Sequence, residues 1–221
     1  MLKCRRRIQK ITSVWLDQNE KPWIAGAGAL VAAMAAVKLV VHLYAGRHYG
    51  YFVDELYYLA CAEHLAWGYV DQPPLIALVA KIARVLLGDS LAAIRFFPAV
   101  AGAGMVLMTG FIARELGGKR FAQGLAAFCT LAAPGFLAFD HFLSMNAFEP
   151  LFWMGCAWVV IRIVRTGNAR LWLWFGLLAG IGLENKHSML CRPNVRTLGV
   201  RQPGEPQASQ RATAMRLIIP P

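Results

Sequence analysis

Two neighbouring acids, Asp54 and Glu55, open the stretch "DELYYLACAEHLAWGYVDQPPL", and a third, Asp71, stands near its end. A carboxylate at such a position can act as a general base and take the proton of an acceptor hydroxyl. Adjacent helical residues do not share a face, so one of the pair turns into a site while the other is solvated or orders it. The plainer reading is a helix start, with Asp54 favoured by the helix dipole and Glu55 an ordinary solvated acid. Asp71 before "QPP" likewise fits the end of a loop, since proline suits a first helical turn. A second polar segment, "DHFLSMNAFEP", offers Asp140, His141, Asn146 and Glu149. Asn146 and Glu149 are three apart and fall side by side on a helix; Asn146 also suits an N-cap. Asp140 and His141 are one short pair of metal-ligand types, too few to specify a metal. "LENKHS" adds Glu184, Lys186 and His187, where the lysine either snorkels to an interface or holds a lipid phosphate.

The elements that must carry these groups are apolar. Of the 221 residues, 57% are hydrophobic and only 16% charged, which predicts an all-α polytopic membrane bundle rather than a soluble domain. A bilayer core of about 30 Å needs about 20 apolar residues per helix. About five stretches meet that need, over residues 23–45, 95–113, 121–139, 147–164 and 171–188. Between the first two, residues 54–68 and 74–88 read as short helices lying on the membrane, the second amphipathic and interrupted by Lys81 and Arg84. A tilted sixth span over the second would invert everything downstream. Lys38 and His42, an i,i+4 pair within the first span, read as snorkelling toward the interface.

The net charge of +11 falls in short clusters between spans, not along one stripe, so nucleic-acid binding is excluded. Residues 1–22 carry Lys3, Arg5, Arg6, Arg7 and Lys10; Arg114, Lys119 and Arg120 join the second and third spans; Arg162, Arg165 and Arg170 join the fourth and fifth. Alternating spans put all three clusters on one side, the cytoplasm, with an uncleaved signal-anchor as first span. Asp54, Glu55, Glu63, Asp71, Asp89, Asp140 and Glu149 then lie outside. The five cysteines lack paired spacing and read as small apolar fillers. From residue 191 the membrane pattern stops and five of the eleven prolines gather, so 191–221 reads as a disordered or frame-shifted tail behind a membrane region over 23–190.

With its basic start, one span, "DELYY", "DQPPL", "RFFPAVAGAG…ARELGG" and "SMNAFEPLFW", the chain resembles the N-terminal part of the C-type membrane glycosyltransferases. The groups it resembles are the protein O-mannosyltransferases, the lipid A aminoarabinose transferases and the lipopolysaccharide core transferases. The resemblance implies transfer of a sugar, with inversion, from a polyprenyl-phosphate donor to an extracytosolic protein or glycolipid acceptor at a plasma or inner membrane. It implies a catalytic carboxylate at Asp54 with Glu55 beside it. Charge on the departing phosphate needs a cation, for which Lys186, Arg95 or a divalent ion are candidates. Asp71, Gln72, Asp140, His141, Asn146 and Glu149 complete the substrate-binding candidates. Gln72 stands where the family often has a basic residue or histidine, Asn146 where it often has aspartate, and family members are roughly twice as long. A non-catalytic membrane fragment or transporter-like scaffold is the competing expectation. A transporter places ionisable groups at mid-membrane on broken helices, whereas these acids gather in loops.

Overall fold

In the computed structural model, residues 27–190 are described, and every regular element among them is helical. The expectations for residues 1–22 and 191–221 lie outside the described residues. The order is α1 (Ala27–Ala45), α2 (Val53–Glu63), α3 (Leu75–Leu87), α4 (Leu91–Ile94), α5 (Phe96–Glu115), α6 (Arg120–Ala132), α7 (Pro134–Phe139), α8 (Met145–Thr166) and α9 (Leu171–Asn185), then a 3₁₀ turn, His187–Leu190.

Among the described residues, three helical stretches are long and apolar enough to cross a membrane: Ala27–Ala45, Leu91–Glu115 and Met145–Thr166. The third expected span, 121–139, is instead two helices. Pro134 cannot continue α6, and Ala133 before it adopts the extended backbone that a following proline imposes (φ −64°, ψ 118°). The fifth is the 15-residue α9, about 22 Å long at 1.5 Å per residue and shorter than the bilayer core. The region expected as a sixth span is α3, 13 residues with a strongly one-sided apolar pattern, packed on α2. It is not among the helices of spanning length.

Small residues set the packing, as membrane helices require in the absence of a hydrophobic drive between them. Helix α5 is central and touches α1, α6 and α8; α9 packs along α8. Val31 and Ala35 of α1 meet Ala103 and Val106 of α5 and Ala127 of α6. Gly110 lets Val31 approach, since a Cβ there would lie 2.7 Å from Val31 Cγ1. A second core, built from Tyr58, Ala62, Ile76, Ala80, Ile94 and Leu143, seats α2 and α3 on one end of the bundle. Val37, Val40, Val41 and Leu173 stay exposed, as befits surfaces whose solvent is lipid.

Two polar clasps mark opposite ends. At one, Glu115 accepts from Arg162 Nη1 at 3.1 Å and is also bound by Arg165, while Arg162 stacks over Trp158. This end gathers the loops after α5 and α8. The other end gathers the loop after α1, helices α2–α4 and the segment 140–144, and it holds the acids of interest.

Lys38 departs from the snorkelling expectation. It is fully buried, with Nζ 2.6 Å from Asp140 Oδ2. An ammonium this deep needs a counter-charge, and α7 delivers one. Gly102 of α5 makes room: a Cβ there would lie 2.5 Å from Asp140 Oδ2. Gly102→Ala is therefore expected to pry the pair apart and cost about 1–3 kcal/mol as overpacking. A thermal unfolding series in detergent checks this, with Gly135→Ala, at an open position, as the neutral control.

Candidate active site

Helix α2 begins after the extended Phe52, and Glu55 at its third position reaches back to cap it, Phe52 N donating to Glu55 Oε2 at 2.9 Å. Phe52 has no side-chain acceptor, so only the acidic half of a capping box exists. Glu55 is fully buried. Arg95 Nε donates to Oε1 at 2.9 Å and Nη2 to Oε2 at 2.7 Å, and Leu143 N donates to Oε1 at 2.9 Å. Burial pushes the carboxyl up, but the Arg95 fork and the two backbone N–H groups outweigh it and hold it below the usual glutamate value. Arg95, at the junction of α4 and α5, spends its other donors on Gly46 O (3.0 Å), Tyr49 O (3.2 Å) and Gly50 O (2.7 Å). A guanidinium has five N–H donors, and all five are engaged here. The clasp ties α1's trailing loop, α2, α5 and the 140–144 segment together, and leaves Arg95 no donor for a phosphate.

Asp54 turns the other way and is exposed. Asp71, also exposed, accepts from Tyr57 Oη at 2.7 Å, which raises the Tyr57 phenol above its ordinary value. Burial pushes Tyr58 up to about 12, with the charges of Asp54 and Asp71 adding to it. Both carboxylates thus act on one tyrosine of α2 and share its neighbourhood. Tyr69 folds the intervening loop onto the helix, donating to Cys61 O at 2.8 Å. Gln72 points inward, buried, with Nε2 3.5 Å from Cys61 Sγ. Beside this loop lies an apolar groove of about 700 Å³, walled by Leu65, Trp67, Leu75, Leu78 and Ile181 with Glu184 at its edge. Trp67 is wholly exposed.

The second cluster sits where α8 starts and α9 ends. Ser144, not Asn146, caps α8, accepting from Asn146 N at 3.2 Å. The Asn146 side chain is thereby left to receive Lys186 Nζ at 2.7 Å, and Glu149 Oε2 receives it at 2.9 Å. Ser188 donates to the other Glu149 oxygen. An ammonium has three donors, so Lys186, partly exposed, keeps one. Asp140 and His141 part company. Asp140 faces Lys38, whose ammonium occupies the place a metal would take, and His141 meets the edge of Tyr49 at 5.2 Å. No group of three or more metal-ligating side chains occurs among the described residues.

The sequence does not announce the two buried ion pairs, Lys38 with Asp140 and Arg95 with Glu55. The signal for Lys38 was its depth in a span, which calls for a buried acid. The signal for Arg95 was weaker, because an arginine flanking a span ordinarily marks only the interface.

This is a helical bundle with several spanning-length helices and with acids and a partly engaged lysine at one end, an arrangement a membrane enzyme can use. The model of the dolichyl-phosphate-mannose-protein mannosyltransferase family matches residues 71–193, more than half of the chain, and the chain belongs to that family. The matched region contains Asp71, Arg95, Asp140, Asn146, Glu149 and Lys186, whereas Asp54 and Glu55 precede it. No curated protein and no solved structure matches.

Proposed function

We propose that the chain transfers a sugar, with inversion, from a polyprenyl-phosphate carrier to an acceptor hydroxyl outside the cytoplasm, with Asp54 as the general base. The observation that carries this reading is the division of labour on α2: Glu55 is consumed in a buried clasp, while Asp54, its neighbour on the same helix, stays exposed. A single base is enough for an inverting displacement, and an exposed carboxylate can both take and release the proton. Asp71, oriented by Tyr57, positions the acceptor or the sugar hydroxyls. The groove takes the prenyl chain, and α3 lies in the interface beside it. Lys186, with its third donor, meets the charge that develops on the departing phosphate; Arg95 and Glu55 position rather than touch substrate. Asn146 and Glu149 steer Lys186, and Gln72, Asp140 and His141 support the loops. No step is assigned to a divalent ion. The positive-inside bias puts the Glu115 end in the cytoplasm and the Asp54 end outside, in a plasma or inner membrane.

The test is a transfer assay in membranes holding the full chain and a radiolabelled mannosyl polyprenyl phosphate. Lys186→Met is expected to lower kcat for the donor by about 10²–10³, the loss seen when one donor to a developing anion is removed, with a smaller change in KM. Equal kcat in parent and variant removes Lys186 from the reaction. Absence of any transfer by the parent, with the chain folded, favours the non-catalytic scaffold instead.

A further inference from the structure

At the opposite end of the bundle from Asp54, a cleft of about 560 Å³ runs between α1 and α6. Its walls are Leu30 and Met34 on one side and Phe121, Leu125 and Phe128 on the other; its head is Arg120. Gly124 forms the narrow floor, where even a Cβ would come within 2.9 Å of Leu30 Cδ2. Phe121 is 79% exposed and Phe128 53%, so this apolar surface is open rather than filled by a neighbouring helix among the described residues.

The charge at the head is equally open. Arg120 and Lys119 are exposed, and neither makes a side-chain hydrogen bond or ion pair among the described residues. The acid close by in sequence, Glu115, is buried and pairs instead with Arg162 and Arg165. The chain's own preceding segment is a poor occupant, since residues 1–22 carry six cations (Lys3, Arg5, Arg6, Arg7, Lys10 and Lys21) against two acids, Asp17 and Glu20. An apolar trough capped by two cations without a partner among the described residues suits an amphiphile with an anionic head.

We infer that this cleft is a binding site for an anionic phospholipid of the surrounding leaflet, its acyl chain between α1 and α6 and its phosphate on Arg120 and Lys119. The cleft is remote from the donor groove and the inference is independent of sugar transfer. In the orientation proposed above, this end faces the leaflet in which anionic lipids concentrate, and each cation near such a surface contributes appreciably to binding. The bound lipid would lie along the seam that α1 and α6 form where Gly124 lets Leu30 approach closely.

Native mass spectrometry of the detergent-solubilised full chain tests this, with phosphatidylglycerol and phosphatidylcholine added separately. The expected result is tighter retention of phosphatidylglycerol, weakened about fivefold in Arg120→Gln and further in Lys119→Gln/Arg120→Gln. Leu125→Trp, which fills the cleft from its exposed rim, is expected to reduce retention of phosphatidylglycerol while leaving the helical circular dichroism unchanged. Equal retention of the two lipids overturns the proposal, as ordinary annular lipid. A phosphatidylglycerol preference untouched by Arg120→Gln and Leu125→Trp also overturns it, placing the site elsewhere. So does a concentration-dependent dimer that both variants dissolve, which makes the cleft an interface between two copies.

Discussion

Asp54→Asn is expected to lower sugar transfer by about two to four orders of magnitude, the range that a positioned general base contributes. The amide keeps the size and polarity of the side chain but cannot accept the acceptor's proton. Because Asp54 is exposed and makes no side-chain hydrogen bond among the described residues, the variant should fold and melt like the parent. That combination separates Asp54 from its neighbour. Glu55→Gln should lose activity and stability together, because it weakens one end of a buried ion pair. Asp71→Asn retains a partner for Tyr57 and should show a smaller loss, expressed mainly in KM for the acceptor. The decisive measurement is single-turnover transfer from a radiolabelled polyprenyl-phosphate donor, with melting temperatures alongside. Transfer by Asp54→Asn within threefold of an active parent would falsify the assignment and move the base to Asp71.

How much of this could be read in advance depends on the kind of interaction involved. Apolar length and charge sorting depend on short stretches of sequence, and they placed the helices and gathered the acids at one end. Pro134 is legible as well: a proline inside an apolar run breaks the ladder, and the break divides α6 from α7. The fate of Asp54 and Glu55 was legible only as an alternative. Helical geometry says that one of two neighbours turns inward, but which one depends on Arg95, forty residues away, and on the backbone of Leu143. The same holds for Lys38 and Asp140. Each looks interfacial by itself; the bundle makes them partners because Gly102 has no side chain in the way. Asn146 shows the limit at close range. It competes with Ser144 for the cap two residues earlier, and the serine's winning is what frees the amide for Lys186.

Arg95→Met is expected to be the most destabilising single change in the described fold. It leaves Glu55 buried with its charge opposed only by two backbone N–H groups, and it strands the carbonyls of Gly46, Tyr49 and Gly50. Removing one partner of a buried pair typically costs 3–5 kcal/mol, whereas replacing both with apolar groups of similar volume is often far milder. Glu55→Leu/Arg95→Met should therefore recover part of the loss, although the stranded carbonyls prevent full recovery. The pH dependence carries its own sign. In the parent the folded Glu55 value lies below the unfolded one, so the clasp's contribution is complete above about pH 4.3 and fades as pH falls through the depressed folded value. Without Arg95, burial is opposed only by the two backbone N–H groups, so the same carboxyl should rise from its depressed value. Arg95→Met should then fall furthest below the parent at neutral pH and least in acid, where protonation relieves the buried charge, while the double variant, which has no carboxyl there, should lose that pH dependence. Melting temperatures of the three proteins in detergent, read by tryptophan fluorescence from neutral pH down through the acid range, decide it: a gap between parent and Arg95→Met that stays constant over that range would mean that the clasp does not hold a charged Glu55.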